Sequence, residues 1–259
     1  MRGVALSQKD DSVLFSINQI QNASLNCASE STDAVDAMGT PIATFYRAKS
    51  AEFSAENALF DMNLMATQLG TAKKVASADA KIVVPAMVSF TVDGAEYDLK
   101  KTPITYTVDG EEVSSVKEIY ALNGDSTFGT KYTRGTAASE TEFSIEGSVI
   151  TLPTGLVKGT EMFVMFEYET DKAVEVVNSA KNFPVGCKFV MEVLGCDVCD
   201  QTNLVYAYVI FNNAKLSPDF DWSIATDGTH PFSMKAQQDY CDKEKRLFSI
   251  VIPEAKDEE

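Results

Sequence analysis

Histidine is almost missing from this 259-residue chain, since His230 is the only one. A Ser-His-Asp triad, a Cys-His pair or a multi-histidine metal centre must therefore use this residue or is excluded. It lies in Asp227-Gly-Thr-His-Pro231, a turn composition, which predicts a loop histidine without catalytic duty. The phosphate-binding pattern G-x-x-x-x-G-K-[ST], the dinucleotide pattern G-x-G-x-x-G and the hydrolase pattern G-x-S-x-G are also missing. The sequence predicts a protein that is not an enzyme and needs no cofactor.

Positive charge and long apolar runs are scarce as well. The chain has 22 basic against 38 acidic side chains and a formal net charge of -16. Its average surface field repels phosphate, which excludes a dedicated nucleic-acid binder. No apolar run approaches the roughly 20 residues that a membrane-spanning helix needs, so no membrane partner is predicted. Met1–Ser12 lacks the features of a secretory signal, and we expect synthesis and assembly in a cytoplasm.

The chain has an odd number of cysteines, and most of them are late in the sequence: Cys27, Cys187, Cys196, Cys199 and Cys241. This is not the pattern of a disulfide-stapled secreted domain. Cys196 and Cys199 form a C-x-x-C pair that another cysteine or His230 could complete into a tetrahedral zinc site. Structural zinc sites usually have two such pairs, so these two residues are candidates only and no metal is predicted. A zinc-dependent activity, a redox pair and a disulfide remain alternatives to reduced thiols.

The N-terminal part of the chain has the pattern of strands joined by a polar loop. Residues 13–28 partly alternate apolar and polar side chains, which predicts a strand. The polar stretch Ser29–Asp36 predicts a loop, and Met38-Gly-Thr-Pro41 predicts a turn. A second strand is expected over Ile42–Arg47.

One helix is predicted over Ser54–Leu69. Ser54 is the expected N-cap, Glu56 is favourable in the first turn, and Gly70 stands at the C-terminal cap. The apolar residues recur at helical spacing and predict core packing: Leu59, Met62, Met65, Ala66 and Leu69.

Short β segments dominate from Ile82 onward. Asp-Gly pairs within Phe90–Leu99 and Tyr106–Val113 predict two hairpins. Further strands are expected over residues 117–122, 142–145, 149–152 and 161–168. Residues 83–170 are predicted to form a β-rich module inserted into the flanking fold.

The C-terminal part is again β-rich. Residues 187–194 and 204–212 are apolar, aromatic and β-branched, as buried strands are. A last strand is expected over residues 246–252, and the acidic residues 254–259 predict a disordered tail. The expected organisation is one β domain built from residues 1–82 and 171–253, interrupted by the inserted module.

The sequence around Trp222 is aromatic and acidic. Pro218-Asp-Phe-Asp-Trp222 favours a half-buried aromatic under a loop over an exposed anchor for a partner or a sugar. Asp219 and Asp221 have no distinguishing spacing and do not indicate acid-base catalysis.

Two stretches resemble the tail tube (major tail) protein family of long-tailed bacteriophages. The first runs from Leu25 to Gly70, with a strand, the Gly-Thr-Pro turn, a strand and a helix ending Asn63-Leu-Met-Ala-Thr-Gln-Leu-Gly70. The second is Pro231-Phe-Ser-Met-Lys-Ala-Gln-Gln-Asp-Tyr240 with Leu247-Phe-Ser-Ile-Val-Ile252, which is similar to the closing hairpin of that family.

The resemblance implies a mainly β fold of the β-sandwich or barrel type, with one flanking α-helix and the inserted β-rich module. It implies hexameric rings of this chain that stack into a hollow tube in the virion tail, assembled in the host cytoplasm. The implied partners are copies of the chain itself and the sheath, tape measure and tail terminator proteins, while DNA passes through the lumen without specific binding. A capsid decoration or baseplate protein and a carbohydrate-binding adhesive module are the alternatives.

Overall fold

The structure is a computed structural model that describes residues 1–196, 204–223, 225, 228–240 and 243–253. Strands make up 55% of the described residues and helix 3%. This confirms the predicted mainly β class with one helix. The chain divides into two compact units, residues 74–175 and residues 1–73 with 176–259. We call the first the inserted unit and the second the sheet unit.

The elements are, in chain order, β1 (Arg2–Ser7), β2 (Val13–Ile17), β3 (Ile20–Val35), β4 (Pro41–Asn57), α1 (Met62–Gln68), β5 (Lys74–Val75), β6 (Ile82–Thr91), β7 (Glu96–Asp98), β8 (Thr105–Val108), β9 (Glu111–Ser114), β10 (Glu118–Leu122), β11 (Phe128–Arg134), β12 (Glu142–Glu146), β13 (Val149–Thr151), β14 (Glu161–Thr170), β15 (Val174–Glu175), β16 (Gly186–Cys196), β17 (Leu204–Leu216), β18 (His230–Ala236) and β19 (Ser249–Val251).

The sheet unit is one curled eight-stranded sheet in the order β2-β1-β16-β17-β18-β4-β3, with β19 added to β17. Its neighbouring strands pair antiparallel wherever the structure describes them, and β17 pairs with β16 along one edge and with β18 and β19 along the other. Strands β2 and β3 stand at opposite ends of this order, although only two residues separate them in the chain. The two ends of the sheet must therefore lie close together, which requires the sheet to curl.

Phenylalanine side chains fill the inside of this curl. Phe189 on β16 lies with its ring centroid 5.7 Å from Phe53 on β4, 6.2 Å from Phe15 on β2 and 6.3 Å from Phe211 on β17. Each of these rings is at most 1% exposed. Strands that are not neighbours in the sheet thus meet through aromatic contacts, which are worth about 0.5–1.5 kcal/mol per pair beyond the area they bury.

The helix is shorter than the predicted span of Ser54–Leu69, and Ser54 does not cap it. Residues 54–57 belong to β4, where Phe53, Ala55 and Asn57 are buried and alternate with outward residues. This period of two reflects pairing with β18 on one side and β3 on the other. The helix starts after Asp61, whose carboxylate accepts the backbone N–H groups of Asn63 and Leu64.

Gly70 ends the helix in a left-handed conformation with φ of +66°, as its predicted capping role requires. A Cβ atom added there would lie 2.3 Å from the carbonyl carbon of Phe183. We expect Gly70→Ala to lower the free energy of unfolding by roughly 2–4 kcal/mol, from backbone strain plus the clash. Gly39→Ala is the control, because Gly39 has φ of +83° but nothing within 4 Å of the added atom. If denaturant titrations show the same loss in the free energy of unfolding for both variants, the clash with Phe183 does not contribute.

The polar stretch Ser29–Asp36, predicted as a loop, is strand as far as Val35. It belongs to an antiparallel ladder between β3 and β4 that runs from Ile20 to Val35, with register shifts after Gln21, Ser29 and Ala34. The predicted strand over residues 13–28 is split into β2 and β3. The backbone ladder overrides the poor strand preference of the polar residues, because it satisfies their N–H and C=O groups.

The inserted unit contains a seven-stranded sheet in the order β6-β14-β10-β11-β12-β13-β7, a β5–β15 pair and a β8–β9 pair. Its own core includes Ile119, Phe143, Ile150, Met162 and Val164, all fully buried. The predicted boundaries 83 and 170 fall inside this unit.

Only one of the two predicted Asp-Gly hairpins exists. Strands β8 and β9 pair across Asp109 and Gly110, which have φ of 52° and 87°, and this confirms the hairpin within Tyr106–Val113. The prediction for Phe90–Leu99 is wrong, because β6 pairs with β14 and β7 pairs with β13. Long-range pairing along the ten residues of β6 outweighs the local turn preference.

The predicted strands at residues 187–194 and 204–212 are confirmed as β16 and β17. They are not buried throughout, since Leu194 is 48% exposed and Tyr206 is 45% exposed. The closing hairpin expected from the resemblance is corrected. In the described part of the chain, β18 pairs with β17 and β4, and β19 pairs with β17, so the two do not pair with each other. The predicted acidic tail, residues 254–259, lies outside the described residues.

Candidate assembly surface

The outer part of the β3–β4 hairpin is not covered by any residue that the structure describes. Every residue from Asn26 to Ser50 is exposed, whereas Ala51, Phe53 and Ala55 at the base of the hairpin are buried. We call residues 26–50 the exposed hairpin. It is a two-stranded ribbon, and such ribbons are marginally stable when they stand alone in water.

Large apolar side chains lie along the exposed hairpin. Phe45 is 64% exposed, Tyr46 is 73% exposed and Ile42 is 71% exposed. Phe45 and Tyr46 are successive strand residues, so their side chains point to opposite faces of the ribbon. Met38 at the tip is 91% exposed. Both faces and the tip therefore offer apolar area to a partner.

The exposed hairpin also offers unpaired backbone. Strand β18 pairs with β4 only from Glu52 to Asn57, so the outer edge of Pro41–Ala51 has no partner strand among the described residues. Strand β3 stands at the end of the sheet order and is likewise an edge. Rows of unpaired N–H and C=O groups are templates for pairing with another chain.

The tip of the hairpin is ordered by its own hydrogen bonds. The Asp36 carboxylate accepts the backbone N–H groups of Met38 and Thr40, each at 2.8 Å. Gly39 supplies the left-handed residue of the turn, with φ of +83°. The turn is thus formed before any partner binds, which lowers the entropy cost of association.

The only histidine anchors the helix to the sheet beside the hairpin base. His230 is the first residue of β18 and 0% exposed, so the predicted loop position is wrong. Its Nδ1 accepts the backbone N–H of Asp61 at 3.3 Å, which places the proton on Nε2, and Nε2 donates to Gln68 Oε1 at 2.8 Å. Gln68 Nε2 donates to the Pro231 carbonyl at 3.1 Å. The histidine has a structural role in which both ring nitrogens are satisfied.

Burial lowers the pKa of His230 below its ordinary value of 6.5. The unfolded chain therefore binds a proton at this residue at higher pH than the folded chain does. We expect its contribution to stability to be complete above pH 6.5 and to be lost as the pH falls from there toward the folded-state pKa. Denaturant unfolding at several pH values between 7 and 5 should show this decline in the wild type. In His230→Asn the decline should be smaller, and an identical slope would contradict the assignment.

Trp222 is half-buried, in agreement with the favoured prediction. Its ring stacks on Phe60 with centroids 4.5 Å apart, and Phe60 stacks on the His230 ring at 5.2 Å. Asp219 and Asp221 line a small cleft near the β4–β18 pair. Nothing in this geometry gives these residues a catalytic arrangement.

Of the two candidate metal ligands, Cys196 and Cys199, the structure describes only Cys196. Cys196 is the last residue of β16, and Cys199 and Cys241 lie outside the described residues. Cys27 is exposed on the hairpin and Cys187 is buried, both as free thiols. Burial raises the pKa of the Cys187 thiol to about 11, so it is protonated and unreactive at neutral pH. Among the described residues no group of three or more side chains could hold a metal ion.

The model of the YomU/Tube protein family matches residues 3–247, almost the whole chain. The chain belongs to the YomU/Tube protein family. This confirms the resemblance to the tail tube family and makes the chain a phage tube protein, a component of the virion tail. A structural tube family is not typically enzymatic, in line with the predicted absence of an active site. No curated protein matches the chain.

None of the helical structure in the described ranges is long and apolar enough to cross a bilayer. The exposed hairpin was not found as a candidate surface from the sequence. Its signal was an apolar cluster with few charges, Ile42 to Tyr46, next to a Gly-Thr-Pro turn. The same cluster would suit a buried strand, and only the structure shows that its own chain leaves it uncovered.

Proposed function

We propose that this YomU/Tube protein self-assembles through its exposed hairpin into rings that stack into the hollow tail tube. One observation carries the proposal: residues 26–50 extend away from the core with every side chain exposed, yet they include Ile42, Phe45 and Tyr46. A monomeric protein rarely exposes a long ribbon that has free strand edges and several large apolar side chains, because such a segment aggregates. Coverage by a second copy removes that liability.

Ring closure follows from the type of interface. The hairpin on one copy and a different surface on the next form a heterologous contact, which gives a ring if its rotation closes and an open filament if it does not. Six copies per ring is the expectation from the tail tube resemblance. Because the hairpin is a preformed ribbon, association needs little ordering beyond its side chains.

The conduit role is supported by charge. A net charge of -16 gives a surface that repels the DNA backbone, and a lumen of this sign would let DNA pass during ejection without binding. Contacts with sheath, tape measure and terminator proteins belong to the same proposal, since a tube must meet these neighbours at its surface, lumen and end.

Electron microscopy of the purified full chain tests the proposal. We expect rings of uniform diameter at low concentration and stacked tubes at higher concentration, with sedimentation velocity showing a matching loss of monomer. A chain that stays monomeric up to millimolar concentration, or that forms only irregular aggregates, would overturn it.

A further inference from the structure

The outer face of the inserted unit carries a second surface that tube assembly does not explain. On β14, Met162, Val164 and Phe166 are buried in the core, and the alternate residues Phe163, Met165 and Glu167 point away from it. Tyr120 on β10 lies directly opposite Phe163 in the ladder, on the same face. The outward face of two central strands is thus aromatic and apolar where a solvent face is usually polar.

Three aromatic rings on this face form a group that we call the aromatic cup: Tyr120, Phe128 and Phe163. The Phe128 centroid lies 5.0 Å from that of Tyr120 and 5.1 Å from that of Phe163, with interplanar angles of 37° and 49°. Phe128 is 60% exposed, so most of this ring is open to solvent. These side chains line a cleft of about 820 Å³.

Two tyrosine–carboxylate pairs flank the cup. The Tyr120 hydroxyl donates to Glu118, which also accepts the Lys131 ammonium at 3.0 Å. The Tyr106 hydroxyl donates to Glu167. A carboxylate has about four lone-pair sites, so both glutamates can accept further hydrogen bonds from a ligand. Their existing partners hold them in place, as a preformed site requires.

We propose that the aromatic cup and its two flanking glutamates bind a neutral saccharide built of pyranose rings. A pyranose offers C–H groups on one face, which pack on aromatic rings, and hydroxyl groups around its rim, which donate to carboxylates. The cleft supplies both kinds of group within one surface.

A second copy of the chain or an apolar protein fits this surface less well. An apolar partner would bury the carboxylates of Glu118 and Glu167 with no donors beyond Tyr120, Lys131 and Tyr106. Their remaining lone pairs would lose water without a replacement, which is costly. A polyhydroxylated ligand supplies those donors. The binding surface lies wholly within the inserted unit, so the inference does not depend on the exposed hairpin.

The test uses the purified full chain and four probes: cellohexaose, maltohexaose, mannohexaose and chitohexaose. We expect saturable binding of at least one of them by isothermal titration calorimetry or NMR. Phe128→Ala should weaken that binding at least about tenfold, because the exposed ring is the open wall of the cup. Glu118→Gln should weaken it by about tenfold through the lost charge-assisted hydrogen bond. Phe128→Tyr should retain it.

The matched control is Val157→Ala, which changes an exposed apolar residue of the same unit that does not line the cleft. It should leave affinity unchanged. The proposal is overturned if no probe binds at millimolar concentration, or if Phe128→Ala binds as tightly as the wild type. Loss of self-association in Phe128→Ala, without saccharide binding by the wild type, would assign the surface to a second copy instead.

Discussion

Replacing Phe45 and Tyr46 together by glutamate is expected to abolish self-association and leave a folded monomer. The two rings are 64% and 73% exposed and lie on opposite faces of the hairpin, so the double variant places charge on both. Any partner that covers either face would have to bury an unpaired carboxylate, which is strongly unfavourable. Sedimentation velocity and electron microscopy should show monomer at concentrations where the wild type is fully assembled.

The monomer itself should be unaffected by that change, because neither ring takes part in a core cluster. Its circular dichroism spectrum should match that of the wild type. Val157→Glu is the control, as it adds a carboxylate at a site that is 73% exposed but lies in the inserted unit. We expect this control to assemble normally. Rings formed by the double variant would show that the hairpin is not the contact.

Phe189→Ala is expected to cause the largest loss of subunit stability, about 3–5 kcal/mol. Phe189 is 0% exposed and its ring lies within 6.3 Å of four others: Phe15, Phe53, Phe211 and Phe232. Removing its ring leaves a cavity inside the curled sheet. The surrounding rings belong to four different strands, which cannot all move inward to fill it. Since a typical domain is stable by about 5–15 kcal/mol, the variant should be close to unfolding at 37 °C.

Chemical denaturation on the monomeric Phe45/Tyr46 background measures this loss without a contribution from assembly. On the same background, Val157→Ala changes an apolar residue that is 73% exposed and should cost no more than about 0.5 kcal/mol of subunit stability. A loss below about 1 kcal/mol in Phe189→Ala would mean that the core repacks, and that the aromatic cluster does not hold the curl together.

Strands with strong β-branched and aromatic content could be predicted from the sequence, and the helix could be predicted only in part. In the stretch 187–194 the alternate residues Cys187, Phe189 and Met191 pack in the core, so local composition and tertiary environment agree. Over residues 54–57, Ala55 and Glu56 have a high helix propensity, but this segment forms a strand because it pairs with β18. When a segment is compatible with both helix and strand, contacts with distant parts of the chain determine which of the two it forms.

Neither of the two candidate surfaces could be found by motif. The exposed hairpin contains ordinary strand residues, and what singles it out is the absence of intramolecular cover, a property of the folded chain. The aromatic cup joins Tyr120, Phe128 and Phe163 from three strands, and only the pairing of β10 with β11 and β14 brings them together. Among the aromatic residues the sequence pattern pointed instead to Trp222, for which it favoured a half-buried position, and the fold stacks this ring on Phe60.

Hydrogen exchange over residues 41–51 tests the central claim most directly. In the monomeric double variant, the amides on the outer edge of this stretch should exchange within seconds, because no strand pairs with them in the described structure. In assembled wild-type protein the same amides should be protected for hours by pairing or burial against the next copy. Fast exchange in the assembled state would mean that the hairpin stays in solvent, and would contradict the claim that copies of the chain join through it.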